Sequence, residues 1–187
     1  MKRAGFVLVG GRSSRMGRDK AYLPVSGGIL GSRVAAAVKA AAGNVAFVGD
    51  PARYAALGYP VIADRYPGEG PLGGILTALH QTAAEWNLVV ACDMPGLAAG
   101  FLNDLLQAAE RKSLDILLPE TEDGMREPLC AVYHGDALAT LERAFEAGIR
   151  KVTAAFPGLR VEAYPVNEVT YFQNLNTPED WAGYAAG

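Results

Sequence analysis

The chain has 187 residues, half of them hydrophobic, and a formal net charge of −3 at pH 7. This length suits one domain with a substantial core, and the mild negative charge argues against nonspecific binding to nucleic acid. No apolar stretch reaches the roughly 18 residues of a membrane span, and the N-terminal apolar run is too short for the core of a signal peptide. We therefore expect one α/β domain in the cytoplasm that acts on a small molecule and binds neither nucleic acid nor membrane.

The first element is an apolar run over 4–9, which predicts a buried strand that ends at two glycines. The loop after it holds four cations: Arg12, Arg15, Arg18 and Lys20. Glycines let backbone N–H groups approach a ligand, and arginine and lysine offset the charge of phosphates. The spacing matches neither the P-loop nor the dinucleotide fingerprint. Composition alone therefore leaves two interpretations: a phosphate-binding loop of another type than these two, or a solvated basic turn.

Apolar strand-like runs then alternate with helical patterns at the spacing of βαβ units, which predicts a mostly parallel sheet. The sequence contains neither internal repeats nor low-complexity segments. The predicted elements are a helix over 30–42, a strand over 45–48, a short helix over 51–57, a strand over 61–63, a helix over 71–86 and a strand over 88–92.

The strand over 88–92 delivers Asp93 to the carboxyl end of a central strand, where ligands bind in open α/β sheets. A carboxylate there would repel a polyphosphate unless a divalent cation such as Mg²⁺ bridged them. We therefore predict that Asp93 binds Mg²⁺; its alternative role, the N-cap of a helix over 101–110, would need it several residues later. Asp64 follows a shorter strand, where it either contacts a ligand or begins the turn over 65–68.

A glycine-rich turn over 67–74 opens directly onto the third helix. Its glycines would let a flat base or sugar lie against the backbone. The alternative is a plain turn in which Gly73 and Gly74 allow close helix packing.

The last third departs from simple alternation. Strands are predicted over 116–118 and 128–133, with an exposed, mobile charged loop over 120–127 between them. A helix over 138–147 follows, and Arg150 and Lys151 then open a short helix, either as a second phosphate site or as a solvated helix start. A final short strand from 172 precedes a helix capped at Thr177. Asn174 and Asn176 share one face of that strand, either as ordinary turn residues or to orient phosphate oxygens or a water bound to a metal. No role is predicted for Cys92, Cys130, His80 or His134.

Five segments in this order resemble the molybdenum cofactor guanylyltransferases of the MobA type. They are LVGGRSSRMGRDK (8–20), GPLGG (70–74), CDMP (92–95), EPL (127–129) and NLNTPE (174–179). The resemblance implies a three-layer, Rossmann-like α/β nucleotidyltransferase with a mostly parallel central sheet. One domain would span 1–187, with its nucleotide-binding part at about 1–97 and its pterin side at about 98–187. The implied reaction moves GMP from Mg-GTP to the phosphate of molybdenum-molybdopterin and releases pyrophosphate.

The resemblance also implies roles for the matching residues. The backbone over 8–11 would meet guanine and ribose, Arg15 and Lys20 the phosphates, and Asp93 both the nucleotide and Mg²⁺. The implied nucleotide-binding residues are Leu8, Val9, Gly10, Gly11, Lys20, Asp64, Gly73 and Asp93, and the implied catalytic residues are Arg15, Lys20 and Asp93.

On the acceptor side, the implied residues are Arg150, Lys151, Asn174 and Asn176. Transient contacts with other molybdenum cofactor proteins and with acceptor enzymes are implied as well. Two positions depart from the family pattern: Val9 replaces the usual alanine, and the asparagine expected after the second strand is missing around 48–50. Three alternatives stay open, namely a CTP-dependent transferase for the same cofactor, a transferase for a sugar or alcohol phosphate, and a non-catalytic GTP-binding adaptor.

Overall fold

A seven-stranded sheet forms the centre of the protein in the computed structural model, which describes residues 2–10, 19–173, 175, 180 and 181. The strand order is β5-β4-β1-β6-β8-β7-β9, and every neighbouring pair is parallel except the two that involve β8. The sheet strands are β1 (Arg3–Leu8), β4 (Ala46–Gly49), β5 (Val61–Ala63), β6 (Trp86–Ala91), β7 (Ile116–Thr121), β8 (Cys130–His134) and β9 (Val161–Val166). A separate antiparallel pair consists of β2 (Pro24–Val25) and β3 (Gly28–Ile29).

Helices cover both faces of the sheet, because its central strands are apolar on both sides. Val7 and Val90 pack in the same core cluster as α1 and α4, whereas Phe6 and Val89 pack with α3 and α5. The helices are α1 (Leu30–Ala42), α2 (Pro51–Tyr54), α3 (Pro71–His80), α4 (Ala99–Arg111) and α5 (Leu138–Glu146). This arrangement confirms the predicted three-layer α/β fold with a mostly parallel sheet. Within the described ranges, no helix is both long and apolar enough to cross a bilayer.

Two predicted elements differ in the structure, and one strand was not predicted. The helix over 71–86 ends at His80, because Trp86 starts β6 and lies opposite both Arg3 of β1 and His134 of β8. Strand β9 was not predicted; it is a partly exposed edge strand whose parallel pairing with β7 comes from far along the chain. The strand predicted from 172 is wrong at its start, since Val169–Phe172 forms a 3-10 helix. The predicted cap at Thr177 lies outside the described residues.

The charged segment over 120–127 forms a tight turn whose residues 122–126 are exposed, as predicted. Strand β7 extends to Thr121, whose N–H donates to the carbonyl of Met125 at 3.0 Å. An isolated bridge joins Glu120 to Arg126, and Glu127 beyond it is half-buried. The predicted exposure is therefore wrong for Glu120, Thr121 and Glu127, because backbone pairing draws these residues towards the sheet, and the mobility of the segment stays a prediction.

A bidentate ion pair ties the first strand to α4. Arg3 Nε and Nη2 donate to Glu110 Oε1 at 2.7 Å and Oε2 at 2.9 Å. These hydrogen bonds hold the pKa of Glu110 below its ordinary value. The stabilisation is therefore complete above the ordinary glutamate pKa, and it is lost as the pH falls through the lowered one.

We expect Glu110→Gln to lower the free energy of unfolding by about 1–2 kcal/mol at pH 7, because it removes one charge of a mostly buried pair. Urea denaturation at pH 7 and at about pH 3 measures the effect. Protonation of Glu110 removes much of the difference in unfolding free energy between the wild type and the variant as the pH falls below the unperturbed pKa. An equal difference at both pH values would contradict this account.

Candidate active site

A pocket of about 540 Å³ lies at the carboxyl edge of the sheet, a size typical of small-molecule sites. It sits where the sheet order reverses around β1, with β4 on one side and β6 on the other, which is where open α/β sheets bind ligands. Its walls come from the ends of β1, β4, β5 and β6, from the turn before α3 and from the start of β8. The lining residues are Leu8, Val9, Gly10, Asp19, Lys20, Val48, Asp64, Gly68, Gly70, Pro71, Gly74, Ala91, Cys92, Asp93, Met94, Glu127 and Leu129.

Six residues predicted for the nucleotide site line this pocket: Leu8, Val9, Gly10, Lys20, Asp64 and Asp93. Gly10 has a φ of 110°, a left-handed conformation that favours glycine and leaves its backbone open to the pocket. Gly73 is not among the lining residues; it is buried in α3 against Tyr66, and its neighbours Gly70 and Gly74 face the pocket instead. Gly11 and Arg15 lie outside the described residues.

Lys20 and Asp93 meet inside the pocket. Lys20 Nζ is 3.4 Å from Asp93 Oδ2, and both side chains are about one-fifth exposed. Strand β6 ends just before Asp93, and the carbonyl of Asp93 accepts a hydrogen bond from the N–H of Leu175 at 3.0 Å. Helix α4 begins at Ala99 with Ala98 as its N-cap, so Asp93 does not cap it. A cation and a carboxylate thus share the edge beside β1.

Asp64 begins a turn, which is one of its two predicted roles, and it also lines the pocket; its contact with a ligand stays a prediction. Its Oδ1 accepts hydrogen bonds from the N–H of Tyr66 at 3.0 Å and from Thr77 Oγ1 at 2.9 Å. Thr77 is fully buried in α3, and its hydroxyl also accepts from the N–H of Arg65 at 3.0 Å. Sequence reasoning missed Thr77, because a threonine inside an apolar helical pattern carries no local signal of a partner in a preceding turn.

We expect Thr77→Val to raise the Kd for nucleotide by about 3- to 10-fold, because it removes the hydroxyl that orients Asp64 and deprives the N–H of Arg65 of its acceptor. Thr77→Ser keeps the hydroxyl and should stay within about 2-fold of wild type. Isothermal titration with GTP measures both variants, and thermal melting monitors the fold. Equal affinity in the valine and serine variants would show that Asp64 does not need this hydrogen bond.

Two residues of helix α2 contact the segment around Lys20 and hold it in place. Arg53 Nε lies 2.6 Å from Asp19 Oδ2, and the ring of Tyr54 stacks on that of Tyr22 with centroids 6.1 Å apart. Asp19 in turn caps the short 3-10 helix Lys20–Tyr22. Burial raises the pKa of Tyr54, whose hydroxyl therefore stays protonated beside Asp19. Sequence reasoning assigned no role to Asp19, Arg53 or Tyr54.

The departure from the family pattern around 48–50 has a local explanation in α2. Asp50 is the N-cap of this helix, and its Oδ1 accepts from the N–H of Ala52 at 2.9 Å. Pro51 occupies the first helical position. An aspartate directly before a proline is a helix-start signal, so the sequence could have identified this cap.

The two cysteines are free and buried. Burial, with the nearby carboxylates Asp93 and Asp19, raises the pKa of Cys92 to about 12. Burial also raises the pKa of Cys130. Both thiols are therefore protonated at neutral pH, and neither is an activated nucleophile.

The carboxylates of the pocket suit a metal ion whose ligands come partly from the protein and partly from the substrate. Among residues 2–10, 19–173 and the few described beyond them, no group of three or more His, Cys, Asp or Glu side chains could hold a metal ion. Mg²⁺ is commonly bound through one or two carboxylates with phosphate oxygens and water completing its octahedron. Asp93 fits this pattern because its side chain faces the pocket.

Of the four residues predicted for the acceptor side, the structure describes two. Arg150 and Lys151 do not line the pocket. Arg150 Nε donates to Glu69 Oε2 at 2.7 Å, and its guanidinium lies 3.9 Å from the ring centroid of Phe145. Lys151 is exposed before the 3-10 helix Val152–Ala155. Asn174 and Asn176 lie outside the described residues.

A parallel sheet with cationic and anionic side chains meeting at its carboxyl edge is the arrangement of a nucleotide-binding α/β enzyme. The family model described as the MobA-like NTP transferase domain matches residues 5–161, and the chain belongs to this family. The resemblance inferred from the five sequence segments is thereby confirmed.

Relatives extend the match over nearly the whole chain. A probable molybdenum cofactor guanylyltransferase of Opitutus terrae is 37% identical, over 95% of this chain and 92% of its own. The molybdenum cofactor guanylyltransferase of Cupriavidus metallidurans is 30% identical, over 94% of this chain and 91% of its own. The crystal structure of molybdopterin-guanine dinucleotide biosynthesis protein A from Archaeoglobus fulgidus superposes with a TM-score of 0.84 at 31% identity, covering 98% of this chain and 97% of that one.

Proposed function

We propose that the protein is a molybdenum cofactor guanylyltransferase, which transfers GMP from GTP to the phosphate of molybdopterin carrying molybdenum. The products are the guanine dinucleotide form of the cofactor and pyrophosphate. The observation that carries the proposal is the near-complete coverage of relatives with this name, together with Lys20 and Asp93 at the predicted ligand edge. The protein would act in the cytoplasm and hand its product to other cofactor proteins or acceptor enzymes.

The nucleotide occupies the pocket from β1 towards β5. The backbone of Leu8, Val9 and Gly10 faces the nucleoside, and Asp64 contacts the nucleotide from the end of β5. Lys20 offsets the charge of the phosphates. Arg15 and Gly11 would complete the phosphate loop, and the acceptor would meet Arg150 or Lys151 and the Asn174 and Asn176 pair.

Catalysis on this geometry needs positioning and charge stabilisation rather than a covalent intermediate. An oxygen of the acceptor phosphate attacks the α-phosphorus in line, and the bond to the bridging oxygen breaks so that pyrophosphate leaves with the electron pair. The acceptor phosphate is ionised at neutral pH, so no general base is required. Mg²⁺ held by Asp93 would supply neutralisation of the phosphate charge. Lys20 stabilises the negative charge on the phosphoryl oxygens in the transition state.

One assay tests the proposal. The protein is incubated with Mg²⁺, molybdate-loaded molybdopterin and GTP, CTP or ATP in turn, and both pyrophosphate and the dinucleotide product are measured. We expect release that requires the pterin and is selective for GTP. Selectivity for CTP would indicate the sister transferase, release dependent on a sugar phosphate would indicate a different acceptor, and GTP binding without release would indicate an adaptor.

A further inference from the structure

Four of the residues that line the pocket carry carboxylates, and Glu127 is the one on the β8 side of Asp93. Glu127 lines the pocket directly before β8, and sequence reasoning gave it no role of its own. We propose that Glu127 is a specificity-determining residue, whose free carboxylate oxygen accepts a hydrogen bond from an N–H donor on the heterocycle of the acceptor substrate. This assignment rests on the proposed function, because that function supplies a pterin as the acceptor.

The pairing of β6 with β8 places Glu127 near Asp93. The N–H of Ala91 donates to the carbonyl of Leu129 at 2.7 Å, which continues the antiparallel ladder to the sheet edge. Asp93 lies two residues beyond Ala91, and Glu127 lies two residues before Leu129. Both residues line the same pocket, Asp93 just after β6 and Glu127 in the segment before β8.

One carboxylate oxygen of Glu127 accepts a hydrogen bond from the protein, and the other can accept one from a ligand. Oε1 accepts a hydrogen bond from the N–H of Leu129 at 3.1 Å, which fixes the orientation of the carboxylate. Over the described part of the chain, no hydrogen-bond donor is paired with Oε2. Glu127 is half-buried at the pocket, and a ligand that fills the pocket and excludes water from Oε2 has to donate a hydrogen bond to it in turn.

The surrounding charge decides which ligand group suits Oε2. Burial and the neighbouring Asp93 raise the pKa of Glu127, so the local environment is already unfavourable to negative charge. A phosphate oxygen at this position would add repulsion, because ionised phosphate and carboxylate oxygens both only accept hydrogen bonds, whereas Lys20 beside Asp93 offers the phosphates a cation. A neutral N–H donor relieves the unpaired oxygen without adding negative charge.

The position also separates Glu127 from the nucleoside. Leu8, Gly10 and Asp64 line the pocket at the ends of β1 and β5, and β6 lies between these strands and β8. Guanine carries N–H donors too, but its expected place is on the β1 and β5 side. The contact is therefore expected to change recognition of the acceptor and not of GTP.

Three variants test the proposal by steady-state pyrophosphate release, with molybdopterin varied at saturating GTP and then the reverse. Glu127→Leu removes both oxygens at similar volume, so the KM for molybdopterin should rise about 10-fold or more, as expected for loss of a hydrogen bond to a charged group. Glu127→Gln retains a carbonyl oxygen as acceptor and should raise this KM by only about 2- to 3-fold. The KM for GTP should stay within about 2-fold in both. Glu122→Leu, an exposed carboxylate in the adjacent turn, is the matched control and should behave as wild type.

Each contrary outcome overturns the proposal in a recognisable way. A glutamine variant as impaired as the leucine variant would show that the negative charge, and not the acceptor oxygen, is required. A raised KM for GTP would place Glu127 on the nucleotide, and an unchanged molybdopterin KM would leave it without a role. Direct titration of molybdopterin, followed by pterin fluorescence, measures acceptor binding without turnover. It therefore separates failure of this proposal from failure of the transferase assignment, since a wild-type protein that binds pterin without releasing pyrophosphate contradicts only the latter.

Discussion

Lys20→Ala is expected to lower the kcat for guanylyl transfer by on the order of 10²-fold or more, which is the effect of removing one preorganised group that stabilises developing charge. The ammonium lies 3.4 Å from Asp93 Oδ2 in the pocket, so its loss leaves the proposed phosphate site without this cation. Single-turnover measurements with saturating GTP separate the chemical step from nucleotide binding. Activity near wild type would remove Lys20 from the catalytic site.

Two companion variants define what Lys20 contributes. Lys20→Arg retains the positive charge but replaces a compact ammonium with a planar guanidinium, so we expect an intermediate loss of turnover. Lys39→Ala removes an exposed lysine on α1 that does not line the pocket, and it should leave kcat unchanged. A loss in Lys39→Ala equal to that in Lys20→Ala would indicate a general effect of net charge.

Asp93→Ala is expected to lower turnover by a similar factor, on the order of 10²-fold or more, and to raise the Mg²⁺ concentration needed for half-maximal activity. The reason is that Asp93 is the carboxylate at the end of β6 that faces both the pocket and Lys20. Activity measured across a Mg²⁺ titration at fixed GTP tests this, and chelation of the metal should abolish wild-type turnover. An unchanged Mg²⁺ dependence in the variant would contradict Asp93 as the metal ligand.

The charge and the shape of Asp93 can be tested separately. Asp93→Asn preserves the side-chain shape but removes the charge, so it should show the same change in Mg²⁺ dependence as the alanine variant. Asp104→Ala alters an exposed aspartate on α4 and serves as the control for surface charge. Full activity in Asp93→Asn would show that hydrogen bonding, and not the negative charge, is what the site requires.

Three of the predicted residues that line the pocket, Gly10, Asp64 and Asp93, share one property: each follows the end of a short apolar strand. A buried strand followed by glycine or aspartate is a local pattern, and parallel strands bring their carboxyl ends to the same sheet edge. Gly10, Asp64 and Asp93 are therefore placed together in the structure as the sequence predicts. Arg150 follows a helix rather than a strand, and its guanidinium is paired with Glu69 outside the lining residues; its role toward the acceptor stays a prediction.

The errors in the fold arise where distant pairing overrides a local pattern. The apolar residues after His80 continue a helical appearance, but the ladder between β1 and β6 takes Trp86 into the sheet. Strand β9 lacks the regular apolar alternation of a predicted strand and is stabilised by its parallel partner β7. Such pairings join residues far apart in sequence, so a local window cannot reveal them.

The sequence by itself determined the class of fold, the order of the central strands along the chain and the polar residues at their carboxyl ends. These follow from hydrophobic patterns and turn residues, which act over a few neighbouring positions. Only the tertiary structure decided that Thr77 orients Asp64, that Arg53 and Tyr54 fasten the segment before Lys20, and that Glu127 faces the same pocket as Asp93. The physical reason is that each of these contacts depends on how helices and an antiparallel strand pack around the sheet.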